Sequence, residues 1–150
     1  MGDIGAGEVQ SFLQQLGARF PRSGSLYLLG GGALCLLGSP RRTFDIDYTA
    51  DPAVELKAAI DALAMELKLE IEVTPIKELI PLPEGADSRH LPVGRFGEVA
   101  VYVFDPYSIA LSKVVRGFDQ DIEDVVFLLG QKRIELRQRR QIVEATLPRA

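Results

Sequence analysis

A chain of 150 residues, 47% hydrophobic and 25% charged, has the size and composition of one globular domain with a single core. A net charge of −4 excludes a broad basic platform for nucleic acid and leaves room only for a local basic patch. The single cysteine, Cys35, excludes an intrachain disulfide, and the single histidine, His90, leaves no Cys/His set for zinc.

Met1 is followed by acidic and small residues rather than a basic segment. The apolar run 26–37 is short and broken by three glycines. The expectation is a cytoplasmic protein without signal peptide or membrane span. The stretch "EVQSFLQQLGAR" (8–19) sets Val9, Phe12, Leu13 and Leu16 at helical spacing. "LYLL" (26–29) reads as a buried strand, followed by Gly30-Gly31-Gly32 and a helix of one to two turns that Gly38 and Pro40 stop. In "TFDIDYT" (43–49) the residues alternate, with Phe44, Ile46 and Tyr48 toward a core and Asp45, Asp47 and Thr49 on the other face. Asp51-Pro52 then opens a helix, with Asp51 as N-cap and a stripe of Leu56, Ala59, Ile60, Leu63 and Leu67.

"LEIEV" (69–73) predicts a third strand. Residues 74–97 hold Pro75, Pro81, Pro83, Pro92 and three glycines, which predicts a long irregular segment. "EVAVYVF" (98–104) is the strongest strand pattern, and Asp105-Pro106 caps a helix to about Arg116. Gly117 ends that helix, Asp119 begins another to about Leu129, and a charged last helix covers about 132–146, suited to docking or to dimer formation. The order predicts one α/β or α+β domain, a small mixed sheet with helices packed on it and a helical C-terminal end.

Two features carry chemistry. Positions i and i+2 of a strand share a face about 7 Å apart, so Asp45 and Asp47 project together. Carboxylates so close repel unless a cation lies between them, and Mg²⁺ or Mn²⁺ takes carboxylate and phosphate oxygens. Taken alone, the pair also reads as a solvated strand face. Glycines between a strand and a helix let a phosphate approach the backbone, although alone they read as a tight turn. Together they are the two parts that a metal-dependent nucleotide site needs. Arg41 and Arg42 precede the acidic strand and read either as solvated or as contacts to a phosphate or an RNA backbone. Cys35 reads as a small buried residue and His90 as a surface one.

"GGGA…TFDID" resembles the paired signature of the polymerase β-type nucleotidyltransferase superfamily, within it the small bacterial branch of minimal nucleotidyltransferases and abortive-infection toxins. "DPYSIALSKVVRGFDQDIEDV" is similar to that branch's lysine, arginine and Asp-x-x-Asp pattern, through Lys113, Arg116, Asp121 and Asp124. The resemblance runs from about Leu26 to Leu129. It implies a nucleotidyltransferase-type sheet, transfer of a nucleoside monophosphate from a nucleoside triphosphate to an RNA end, protein or small molecule, and Mg²⁺ (or Mn²⁺) as cofactor. It implies metal ligation by Asp45 and Asp47, and a catalytic set completed by Lys113, Asp121 and Asp124. Nucleotide contacts would come from Gly30, Gly31, Gly32, Arg42, Lys113 and Arg116. A toxin or antitoxin partner is a further implication.

Relatives often carry a third carboxylate on a later strand. Glu98 and Asp105 flank such a strand here, and neither is a clear match. Without a third ligand the chain would bind a nucleotide or a partner protein without catalysis. A dinucleotide-binding Gly-x-Gly-x-x-Gly fails because Cys35 stands at the last position, and no Gly-Lys-Ser/Thr is present for a P-loop.

Overall fold

The computed structural model describes residues 4–76, 81–117 and 119–131, without the side chains of Arg116, Asp119 and Gln120. The chain divides into two compact units, residues 1–74 with 91–103, and residues 75–90 with 104–150.

The first unit is built on a five-stranded mixed sheet: β1 (Gly24–Leu29), β2 (Asp45–Asp51), β3 (Glu70–Val73), β4 (Leu91–Phe96) and β5 (Val99–Val103). Their order is β3-β2-β1-β5-β4. β1 runs antiparallel to β2 and parallel to β5, β3 is parallel to β2, and β4 is antiparallel to β5. Strand alternation then sorts the residues. Leu26, Leu28, Ile46, Tyr48, Val99, Val101 and Val103 lie on one face and are buried. Tyr27, Asp45, Asp47, Thr49 and Tyr102 lie on the other and are half-buried.

Three helices belong to this unit, α1 (Ala6–Arg19), α2 (Gly30–Leu36) and α3 (Ala53–Leu67). The helical stripes read from sequence are the buried ones: Val9, Phe12, Leu13 and Leu16 in α1, and Leu56, Ile60 and Leu63 in α3. Gly17 lets α1 approach the β4–β5 turn, because a Cβ there would lie 2.5 Å from the backbone of Phe96. Removing these apolar side chains from water is the main drive for the unit, at about 2 kcal/mol for each fully buried Leu, Ile or Phe.

Four local expectations are corrected. The helix after β1 begins at Gly30 itself, so the three glycines form its first turn. Asp51 does not cap α3: it pairs with Ser25 in the β1–β2 ladder, and Pro52 occupies the cap position. Phe44 is 68% exposed because the chain bends there and β2 starts only at Asp45. The segment 74–97 contains β4, an edge strand with a register shift between Pro92 and Gly94. An edge tolerates the missing N–H of Pro92, and a bulge tolerates Gly94, which is why the composition concealed a strand.

In the second unit α4 (Pro106–Arg116) packs on α5 (Asp119–Gly130). Asp105 caps α4 as expected, its carboxylate accepting from the backbone N–H groups of Tyr107 and Ser108. Gly117 ends α4 in the left-handed conformation (φ 72°), which glycine adopts without strain. The predicted helix over 132–146 lies outside the described residues. No helix among the described residues is long and apolar enough to cross a membrane.

Candidate functional site

The acidic face of β2 gains a third member from its neighbour. The β2–β3 register places Glu72 directly beside Asp47, and Glu70 beside Asp45. One carboxylate oxygen from each of Asp45, Asp47 and Glu72 lies within 4.8 Å of the others. Asp45 and Asp47 are half-buried and Glu72 is exposed. Three negative charges at that separation are mutually repulsive, and the arrangement lowers its energy when it shares a cation. The donors are hard carboxylate oxygens without sulfur or imidazole, the set that suits Mg²⁺ or Mn²⁺ rather than zinc.

The glycine turn stands against the same strand. A Cβ on Gly30 would lie 2.6 Å from Oδ2 of Asp47, and Gly30 also adopts a left-handed φ of 61°. A Cβ on Gly31 would lie 2.6 Å from Cβ of Thr43, whose side chain is buried in the lead to β2. The two glycines act at different points: Gly31 allows α2 to close on Thr43 before β2, and Gly30 keeps side-chain bulk away from Asp47, so backbone rather than side chain borders that acid. Gly32 is ordinary by comparison: its Cβ would meet Ile46 at 3.6 Å.

The other predicted residues fall as follows. Arg42 forms an ion pair with Glu8, whose carboxyl is held below its ordinary value first by the Gly5 N–H and then by Arg42. Lys113, Asp121 and Asp124 are brought together inside the second unit. The Lys113 Nζ lies 2.7 Å from Asp124 Oδ2 and 3.4 Å from Asp121 Oδ1, and all three residues are buried. Two carboxylates around one ammonium tie α4 to α5. The side chain of Arg116 lies outside the description.

Neither acid weighed from sequence supplies the third carboxylate of the group. Glu98 sits in the β4–β5 turn, where its carbonyl accepts from Gly24 N–H at the start of β1, whereas Asp47 pairs with Leu29 at the other end of that strand. Asp105 is fully buried, and both its oxygens are engaged. Oδ1 accepts from Arg89 Nε and Tyr107 N–H; Oδ2 accepts from Arg89 Nη2, Ser108 N–H and the Ser108 hydroxyl. His90 belongs to the same network. Its Nδ1 accepts from the Asp105 N–H at 2.9 Å, so it is not the surface residue expected.

Glu72 was the residue that sequence reasoning missed. The available signal was the alternation Glu70-Ile71-Glu72, whose phase matches Asp45-Ile46-Asp47, but adjacency of the two strands was not written in either. Glu72 thus stands where neither Glu98 nor Asp105 does, as the third carboxylate of the group. A family model described as "Nucleotidyltransferase of unknown function (DUF6036)" matches residues 7–147. Among curated proteins and among solved structures, nothing matches.

Proposed function

The chain belongs to this nucleotidyltransferase family, and we propose that it transfers a nucleoside monophosphate from a nucleoside triphosphate to an acceptor hydroxyl, with Mg²⁺ or Mn²⁺ held by Asp45, Asp47 and Glu72. The observation that carries this reading is the grouping of three carboxylates beside the glycine turn. The metal would offset charge on the triphosphate and make the acceptor hydroxyl more acidic.

The chain's own residues divide the remaining work. Asp45 and Asp47, two residues apart on one face of β2, and Glu72 beside them on β3 would hold that cation, whose charge would help to orient the reacting phosphate. Gly30 and Gly31 leave a border of backbone against which a phosphate oxygen can sit. The acceptor oxygen forms a bond to the α-phosphorus, the bond to the bridging oxygen breaks, and pyrophosphate leaves. The acceptor proton passes to water by way of Glu72, the exposed member of the group.

Calorimetric titration of nucleoside triphosphate with Mn²⁺ tests the reading, using wild type and the pair Asp45→Asn/Asp47→Asn. Binding that requires the metal and vanishes in the double variant supports it; metal-independent binding, or binding that survives the substitutions, overturns it. The role that the resemblance gives Lys113 is tested separately by Lys113→Met. Weaker triphosphate binding with unchanged Mn²⁺ binding, in a variant whose circular dichroism matches wild type, supports a phosphate contact.

A further inference from the structure

Asp45 lies beyond the end of the β1–β2 ladder. That ladder stops at the pair Leu29 and Asp47, because the chain leaves β1 for α2 at Gly30. Among the described residues Asp45 therefore has its ladder partner on one side, Glu70 of the edge strand β3. What holds it from behind is the lead 41–43, and that lead is tied to the first residues of the unit. Ile4 and Thr43 form an isolated antiparallel bridge, Ile4 N–H to Thr43 O at 3.0 Å and Thr43 N–H to Ile4 O at 2.8 Å, and both residues are buried. The Arg42 guanidinium pairs with the Glu8 carboxylate and packs against Gly5, where a Cβ would stand 2.8 Å from Nη1. The same Glu8 oxygen accepts from the Gly5 N–H. From α2, the Cys35 thiol donates to the Arg41 carbonyl at 3.4 Å.

We propose that Glu8 and Arg42 are positioning residues for the carboxylate group: their ion pair closes the lead 41–43 against the start of α1 and so fixes Asp45 beside Asp47 and Glu72. The inference rests on the carboxylate reading above. A strand end that must be ordered when a cation binds lowers the affinity by the entropy lost, and a lead already held in place removes that loss. The effect on the metal cannot exceed the strength of the tie, and an exposed ion pair corresponds to roughly 2- to 5-fold. This role differs from the phosphate contact that the resemblance implies for Arg42, which would leave metal binding without nucleotide unchanged.

The test is calorimetric titration of Mn²⁺ alone into the full chain, for wild type, Glu8→Gln, Arg42→Gln and the double variant. Glu8→Gln keeps an oxygen for the Gly5 N–H, so the first turn of α1 stays capped. Each single variant is expected to bind Mn²⁺ roughly 2- to 5-fold more weakly. The double variant is expected to be no weaker than the singles, because all three lose the same tie. The signs separate a clamp from charge acting through space. Removing a cation near acidic groups strengthens Mn²⁺ binding and removing an anion weakens it, so only a clamp makes both variants weaker. Arg19→Gln breaks the comparably exposed Arg19–Glu66 pair at the other end of α1 and is expected not to weaken Mn²⁺ binding. Unchanged or tighter Mn²⁺ binding in either single variant overturns the clamp while leaving the carboxylate site standing. So do losses that multiply in the double variant, or an equal loss in Arg19→Gln. If wild type binds no Mn²⁺, the carboxylate reading falls and the clamp falls with it.

Discussion

Replacing Asp45 by Asn is expected to stabilise the metal-free protein and to remove its response to metal. The change is nearly isosteric and deletes one of three negative charges. Asp45 contributes two repulsive pairs, to Asp47 and to Glu72, each with oxygens no more than 4.8 Å apart. A unit pair at that distance is worth about 1 kcal/mol in a water-like dielectric and about 3.5 kcal/mol at an effective dielectric near 20. Because Glu72 is exposed, the lower figure governs. The two pairs then sum to roughly 2 kcal/mol, which counterions reduce toward 1. For a chain of this length that is a rise in Tm of about 2–5 °C at low salt. Differential scanning calorimetry in EDTA, at low and at high NaCl, measures it. Half-molar salt should shrink the gain, since the Debye length falls to a few ångströms. Added Mn²⁺ should raise the Tm of wild type and leave the variant almost unmoved. A variant less stable than wild type in EDTA, or one that gains as much from Mn²⁺, refutes the claim that these acids repel one another and share a cation.

Three further outcomes follow from the structure. The Tyr48 hydroxyl is buried without a hydrogen-bond partner among the described residues, and burial, reinforced by Asp61, pushes its pKa up to about 12. Tyr48→Phe should therefore raise stability by about 1 kcal/mol in urea unfolding, since the buried hydroxyl is deleted with no partner to orphan. Asp105→Ala should cost about 3–5 kcal/mol in the same assay, because it strips α4 of its cap and leaves Arg89 without its buried partner. Burial lowers the His90 pKa below its ordinary value, against the opposing pull of Asp105 and Asp87. The unfolded state therefore takes up a proton first as pH falls. Stability is complete above the ordinary histidine value and is lost as pH drops from there through the folded one. Protonation also removes the Nδ1 acceptor used by the Asp105 N–H. A Tm that declines between about pH 7 and 5 in wild type but not in His90→Gln is the expected result, the interval following from the unperturbed histidine value.

Local signals were strong wherever one short stretch decides its own structure. The 3.6-residue stripes of α1 and α3 were legible because burial of one helix face needs only that period. Asp105 followed by Pro106 announced the start of α4, and Gly117 its end. Signals failed where a neighbour distant in sequence settles the matter. Asp51 has the chemistry of a cap, yet the ladder with Ser25 holds it in the strand. Phe44 has the phase of a core residue, yet the bend before Asp45 turns it out to solvent. Pro92 and Gly94 argue against a strand, yet β5 offers an edge where both are tolerated.

The candidate site divides in the same way. Asp45, Asp47 and the glycines were visible in the sequence because alternation on one strand and a turn at its neighbour are local facts, each contained in a few residues. Glu72 was not, since it joins the pair only through the parallel register that sets it beside Asp47. The pairing of Arg42 with Glu8 depends likewise on the Ile4–Thr43 bridge, which brings the start of α1 beside the lead to β2. Sequence by itself determined which residues could carry charge toward a common face. Only the tertiary structure decided which strands are neighbours, because strand order and register are set by the packing of the whole sheet rather than by any one strand.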